Sequence, residues 1–220
     1  MGRRIRRHIN PFHSRIEVKP EQWMDKYAAS PGPVCLDIGC GKGEFAAALA
    51  RANPHRFYVG VEIRMAVANA YFPLYADRPN LALLCGNINL SLPAMCGTVA
   101  LDEAYINFPD PYSRKHCLKK RRIVTPEFVG RLHCAMGDGA SLFIQTDDRS
   151  LFDDMAGLLT PLFHSTRDLD RPETTGNPTQ AVTEWEKECL RKGKPIYRGL
   201  FVKNQVPLRN DTAPGYPCGR

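Results

Sequence analysis

The chain has 220 residues, 43% apolar and 24% charged, which suits one well-buried core and excludes the composition of a disordered protein. No run approaches the roughly 18 apolar residues of a membrane span, and the charged amino terminus lacks the apolar core of a secretory signal, so the cytoplasm is expected. The formal charge of +7 is concentrated mainly at residues 3–8 and 114–122, and such clustering points to a polyanion, with nucleic acid the leading partner class.

In chain order, residues 1–33 read as a basic N-terminal arm. Val34 to Ile38 is an apolar run broken only by Asp37. Gly39-Cys40-Gly41-Lys42-Gly43 follows, then strong helix formers from Glu44 to Ala50. That pattern is a strand, a glycine turn and a helix. Asn53-Pro54 should stop the helix, and Phe57 to Val61, ending in Glu62, reads as a second buried strand that completes a βαβ unit. A helix near Ala66 to Ala76, a strand Leu81 to Cys85 and a strand Val99 to Phe108 come next. Thr125 and Pro126 then offer an N-cap and an N1 proline for a helix through Met136, and Ala140 to Thr146 supplies another strand.

This alternation predicts an α/β fold, a mostly parallel sheet with helices on both faces, over residues 34–203. The segment 204–220 carries Pro207, Pro214, Gly215, Pro217 and Gly219 and is expected to be a disordered tail. Ligands of such sheets bind beyond the carboxyl ends of the strands. Gly39, Glu62, Asn87, Asp110 and Asp147 all follow strand candidates. Any strand must end in something polar or flexible, so only their joint pattern carries weight. The eight cysteines are scattered, without a C-x-x-C pair or zinc-type spacing, and are expected as free thiols with no structural metal.

The glycine turn lets a ligand approach the backbone and the helix amides behind it. A dinucleotide fingerprint would need glycine where Glu44 stands. With Asp37 beside the turn as well, the loop better suits a cationic ligand, such as the ammonium and sulfonium of S-adenosylmethionine. Glu62 stands where a ribose-binding carboxylate belongs. Farther along, Asn107-Phe108-Pro109-Asp110-Pro111-Tyr112 puts a carboxylate between two prolines that fix φ and remove donors. From Arg114 to Arg122 seven basic side chains follow, counting His116. A stiffly held acid therefore adjoins a phosphate-seeking surface.

Leu36-Asp37-Ile38-Gly39-Cys40-Gly41-Lys42-Gly43-Glu44-Phe45 resembles motif I of class I methyltransferases. Gly60 to Arg64, Asn107 to Pro111 with its basic follower, Thr146-Asp147 and Thr183-Glu184-Trp185-Glu186 resemble, more narrowly, the bacterial tRNA (guanine-N7)-methyltransferases. The resemblance runs in order from about Val34 to Val202. It implies a Rossmann-like fold, S-adenosyl-L-methionine as cofactor, and methylation of guanine N7 in the tRNA variable loop, at guanine 46. It further implies that Asp37, Gly39, Gly41, Glu62, Arg64, Asn87 and Asp110 hold the cofactor, with Asp110 also catalytic. Arg114, Asp147, Thr183 and Glu186 would meet the RNA or its guanine. The partner would be tRNA, with no membrane and no metal, and the protein a monomer or homodimer.

The family usually has Trp and Lys where this chain has Tyr112 and Arg114, and often Asp where Asn87 stands. Bland alternatives exist for several residues: Thr183 as an N-cap with Glu186 completing a capping box, Asp147 as a cap of the next helix, Arg64 in a surface ion pair. Trp23 and Trp185 read as packing residues rather than base-stacking platforms. Three rival functions remain: an exocyclic-amine RNA methyltransferase, a non-catalytic RNA-binding protein retaining the fold, and a nicotinamide dehydrogenase, which the missing third glycine opposes.

Overall fold

A computed structural model describes residues 14–96, 99–111 and 122–204. The basic segment through Arg121, with Tyr112 and Arg114, the first thirteen residues and the tail from Gln205 lie outside them.

Seven strands form one sheet: β1 Val34–Ile38, β2 Phe57–Glu62, β3 Leu81–Cys85, β4 Leu101–Asn107, β5 Met136–Thr146, β6 Phe163–Ser165 and β7 Tyr197–Lys203. Their order is β3-β2-β1-β4-β5-β7-β6. The β1–β2, β2–β3, β1–β4 and β4–β5 pairings are parallel, and β7 pairs antiparallel with both β5 and β6. The strand order therefore reverses between β1 and β4, the place where an open α/β sheet leaves a crevice for a ligand.

Helices α1 Met24–Ala29, α2 Glu44–Ala52, α3 Met65–Tyr71, α4 Ile88–Cys96, α5 Pro126–Ala135, α6 Arg149–Leu159 and α7 Glu184–Arg191 complete the fold. β1 and β2 are buried at every position because both faces are covered, which explains their continuous apolar sequence. One face packs Val34, Leu36 and Ile38 against α4, α5 and α6. The other packs Cys35, Tyr58, Tyr105 and Phe143 against Phe45, Ala46 and Leu49 of α2.

β1 and β3 have the boundaries expected from their sequence. The helix expected over 66–76 ends at Tyr71 and tightens into a 3-10 turn, Phe72–Tyr75, because Pro73 cannot donate to the preceding turn. β5 starts at Met136, earlier than Ala140. Its first residues, Gly137-Asp138-Gly139, have turn composition, but Met136 pairs with Leu101 before a register shift. Thr125 caps α5 as expected, its hydroxyl accepting from Phe128 N at 3.2 Å. Cys35, Cys40, Cys85 and Cys189 are free, as expected of them. Cys134 departs from that expectation and is disulfide-bonded.

The segment before Val34 is no detached arm over its described part. Val18 and Trp23 are 0% and 1% exposed in the main core. Trp23 stacks on Phe57 at 6.1 Å between centroids, and Tyr27 meets the same ring edge-on at 5.3 Å. The Trp23 indole N–H has no partner among the described residues. Trp23→Ala is expected to destabilise the protein by about 3–5 kcal/mol in denaturant unfolding. Trp23→Phe should cost clearly less, because it keeps an aromatic ring while removing a buried donor that bonds nothing.

Candidate active site

The glycine turn and the β2 end share one carboxylate. Gly39, Gly41 and Gly43 have φ of 75°, 59° and 83°, a left-handed run that L side chains resist. A Cβ on Gly39 would meet nothing within 4 Å, whereas one on Gly43 would strike Leu83 at 2.4 Å. Gly39 thus faces open space and Gly43 packs inward. Gly41 N donates to Glu62 Oε2 at 3.0 Å. Arg64 donates to the same carboxylate from its backbone N at 2.8 Å, Nε at 2.9 Å and Nη2 at 3.0 Å. Glu62 is 3% exposed, while the Arg64 side chain is 37% exposed. Hydrogen bonding to Glu62 comes first among the effects that hold the Arg64 guanidinium above its ordinary pKa, and the charge of Asp110 adds to it. Asp110 therefore stands within electrostatic reach of the Glu62–Arg64 pair.

Phe108 turns the chain toward that pair. It is the one non-glycine residue with positive φ among the described residues, 47°, and its N–H is held by Gln145 O at 2.7 Å. A left-handed residue of this size costs on the order of 1–2 kcal/mol, so the fold imposes the turn immediately before Pro109-Asp110-Pro111.

Behind the loop a polar row crosses the sheet in register. Asn107 of β4 lies beside Gln145 of β5, and Gln145 beside Arg198 of β7. Gln145 Nε2 donates to Asn107 Oδ1 at 2.9 Å and to Glu186 Oε2 at 3.1 Å, while Gln145 Oε1 accepts from Arg198 Nε at 3.2 Å. Arg198 Nη2 donates to Glu186 Oε1 at 2.9 Å and Nη1 to Thr175 O at 3.0 Å. Asn177 Nδ2 donates to both Glu186 oxygens, at 2.9 and 3.1 Å. The row ends at Asp37, where Asn107 Nδ2 stands 3.5 Å from Oδ1.

Asp37 is 2% exposed, and its Oδ2 has no hydrogen-bond partner among the described residues. Burial pushes its carboxyl up to about 7, opposed by the Asn107 contact and assisted by the charge of Glu62. Burial, with the charges of Asp37 and Glu62, likewise raises the Cys40 thiol well above its ordinary value, so it is no nucleophile at neutral pH.

The residues expected from sequence therefore divide. Asp37, Gly39, Gly41, Glu62, Arg64 and Asp110 gather at the reversal of strand order. Asn87 sits at the end of β3, buried, with Nδ2 donating to Ser14 O at 3.1 Å and Oδ1 accepting from Asn89 N at 3.1 Å. Thr183 caps α7, accepting from Glu186 N at 3.0 Å. The Glu186 carboxylate turns inward to Arg198, Gln145 and Asn177, and at 1% exposure it braces the site from behind. Asp147 lies 3.5 Å from Lys194 Nζ, and the cap of α6 is its neighbour Asp148, which accepts from Leu151 N at 3.0 Å. Sequence reasoning passed over Gln145, Asn177 and Arg198. A glutamine inside the apolar run of β5 was the one available signal.

A cationic ligand fits this arrangement. A buried carboxylate oxygen with no hydrogen-bond partner among the described residues, a second carboxylate and an open glycine turn lie together at the reversal of strand order, and the helix amides behind Gly43 add positive dipole for the ligand's own acid. The site can bind and orient such a ligand without a thiol nucleophile. Among the described residues no group of three His, Cys, Asp or Glu side chains is placed to hold a metal, and no helix is long and apolar enough to cross a membrane.

Because folding raises the Asp37 pKa from 3.8 to about 7, the folded chain holds a proton that the unfolded chain has already released across that window. This group's contribution to stability is thus largest below about pH 4, declines toward pH 7 and is flat above. In the cofactor-free protein, Asp37→Asn is expected to remove that decline from the stability–pH curve. Glu186→Ala, which strands Arg198 as a buried unpaired charge, is expected to cost about 3–5 kcal/mol in denaturant unfolding.

Comparison with known proteins agrees with this geometry. Residues 31–199 match a family model described as "Putative methyltransferase". The tRNA (guanine-N(7)-)-methyltransferase of Microcystis aeruginosa is 32% identical over 213 residues, covering 90% of this chain and 97% of that one. The enzyme of the same name from Synechococcus elongatus is 34% identical over 209 residues, covering 91% and 96%. Among solved structures, the 16S rRNA methyltransferase KamB has a TM-score of 0.56 at 16% identity, covering 87% of this chain and 95% of that one, a likeness of fold alone. With most of its length matched by that family model and its relatives matched along nearly their whole length, the chain belongs to the tRNA (guanine-N(7)-)-methyltransferase family.

Proposed function

We infer that this protein transfers a methyl group from S-adenosylmethionine to N7 of a guanine in the variable loop of tRNA, in the cytoplasm. The observation that carries this reading is the near full-length similarity to enzymes of that name. S-adenosylmethionine supplies an electrophilic methyl group on a sulfonium. Guanine N7 presents an in-plane lone pair and no proton, so the chain need not provide a strong base. Its work is to place N7 in line with the methyl and to stabilise the positive charge arriving on the purine.

Asp37 is assigned to the cationic end of the cofactor through its unpartnered Oδ2. Glu62 is assigned to the ribose hydroxyls, which replace the donors of Arg64 while that half-exposed guanidinium turns to water or to Asp110. Gly39 and Gly41 leave room for the ligand, and Asn87 borders the adenine edge. Asp110, stiffened by Pro109 and Pro111, accepts hydrogen bonds from the guanine and offsets its developing charge. Arg114 and Asp147 are assigned to the RNA. Thr183 and Glu186 act indirectly, by fixing α7 and the row through Gln145 and Asn107.

The exocyclic-amine alternative fares worse. There an asparagine amide must meet the amine, but Asn107 already accepts from Gln145 and points its amide nitrogen toward Asp37.

Labelled S-adenosylmethionine and unmodified tRNA should give a product that cleaves at one N7-methylguanine in the variable loop. A label on an exocyclic amine, or none, would reject the reading. Asp110→Ala is expected to lower kcat about 100-fold while the protein still folds and binds the cofactor. Near-normal turnover would remove Asp110 from the chemistry.

A further inference from the structure

A cavity of about 490 Å³ is lined by the incoming segment Ser14–Arg15, by Asn87, Asn89 and Leu90 at the start of α4, and by Thr125, Glu127 and Phe128 at the start of α5. Three arginines, Arg15, Arg122 and Arg131, share its wall with one carboxylate, Glu127. That carboxylate pairs with Arg131 Nη2 at 2.5 Å. Arg131 also bridges the two helices: its Nη1 donates at 2.5 Å to Asn89 O, the carbonyl that Pro93 deprives of its helical partner four residues on.

Arg122 is the informative member. It is 7% exposed; its Nε donates to Pro111 O at 2.7 Å, its Nη1 pairs with Asp154, and its Nη2 has no partner among the described residues. A buried guanidinium N–H without an acceptor is costly, and the Arg122 side chain lines a space that the first turns of two helices also line, each contributing the positive end of its dipole. The space thus has a missing acceptor and a positive surround. Both needs are met by a phosphate.

We propose that this cavity seats a backbone phosphate of the RNA substrate, with the Arg122 guanidinium as its innermost cation, turning its spare N–H to the phosphate, and Arg15 and Arg131 at its rim. The proposal rests on the RNA-methyltransferase reading above and adds to it a specific anchoring site. Its position favours a polymer over a free anion. Arg122 closes the basic run that follows Asp110, and through Pro111 O it is tied to the loop carrying that carboxylate. A phosphate held here would register the RNA strand against the loop that meets its guanine.

The test measures affinity of the full chain for an unmodified tRNA transcript over a series of salt concentrations. Arg122→Lys keeps the charge but loses the forked donor. Arg15→Gln removes a rim charge on an exposed segment and leaves the core untouched. Each is checked for folding by circular dichroism and for S-adenosylmethionine affinity by calorimetry. Both variants are expected to bind tRNA roughly tenfold more weakly, and Arg15→Gln should lower the log–log salt slope by up to about 0.9, the value of one lost phosphate contact. Cofactor affinity should stay unchanged.

Wild-type tRNA affinity and salt slope in folded Arg15→Gln and Arg122→Lys would overturn the pocket while leaving the methyl-transfer reading intact. Weakened tRNA binding by the variants, with no N7 methylation by the wild type, would sustain the pocket and sink that reading. Inorganic phosphate should displace tRNA no better than chloride of equal ionic strength; stronger displacement would make the cavity a free-anion site and overturn the RNA assignment.

Discussion

The site depends on a dry polar row that cannot be left half-satisfied. Glu186 and Arg198 are both buried, and two ions without their shared hydrogen bonds would cost more to bury than their attraction returns. Gln145 and Asn177 complete the set, so the pair holds one geometry. That geometry passes along the sheet edge to Asn107, whose amide nitrogen is turned toward Asp37 by what Gln145 does to its oxygen. An amide has one donor end and one acceptor end, and this asymmetry transmits orientation from α7 to the cofactor crevice. Phe108, held in a left-handed turn by the Gln145 carbonyl, connects the same residue to the loop bearing Asp110.

The two acids of the crevice play different parts for a physical reason. Glu62 meets four donors and has partners for both oxygens. Asp37 has one long contact and an orphaned oxygen, so burial dominates and its carboxyl holds a proton up to about pH 7. A cationic ligand seated beside it would supply what Asp37 lacks and would couple its binding to proton release. Similar side chains at neighbouring strand ends are thus set apart by hydrogen-bond supply alone.

Local sequence made much of this legible. Continuous apolar runs gave β1, β2 and β3 because strands covered on both faces need no polar alternation, and the glycine turn announced itself because three left-handed positions leave little choice of residue. The Asn107–Pro111 block and Glu62 pointed to the crevice for the same reason, since each is a local pattern at a strand end. The row behind them was not legible. Gln145 and Arg198 are 53 residues apart and meet only because β7 runs antiparallel beside β5, and a lone arginine in an ordinary strand carries no mark of its partner.

Glu186 shows the division most clearly. Its motif with Thr183 is a sequence fact, and the cap by Thr183 on α7 follows from residues three apart. Whether its carboxylate faces an RNA or the protein interior depends on which strand packs beneath α7, and the placement of Arg198 turned it inward. The sequence by itself determined the fold class, the glycine turn, the acids at the strand ends and the family, because each is encoded by spacing within a few residues. Only the tertiary structure decided which polar groups pair in the dry interior, and therefore which acids remain available to a ligand, because burial and hydrogen-bond partners come from distant segments brought together by the sheet.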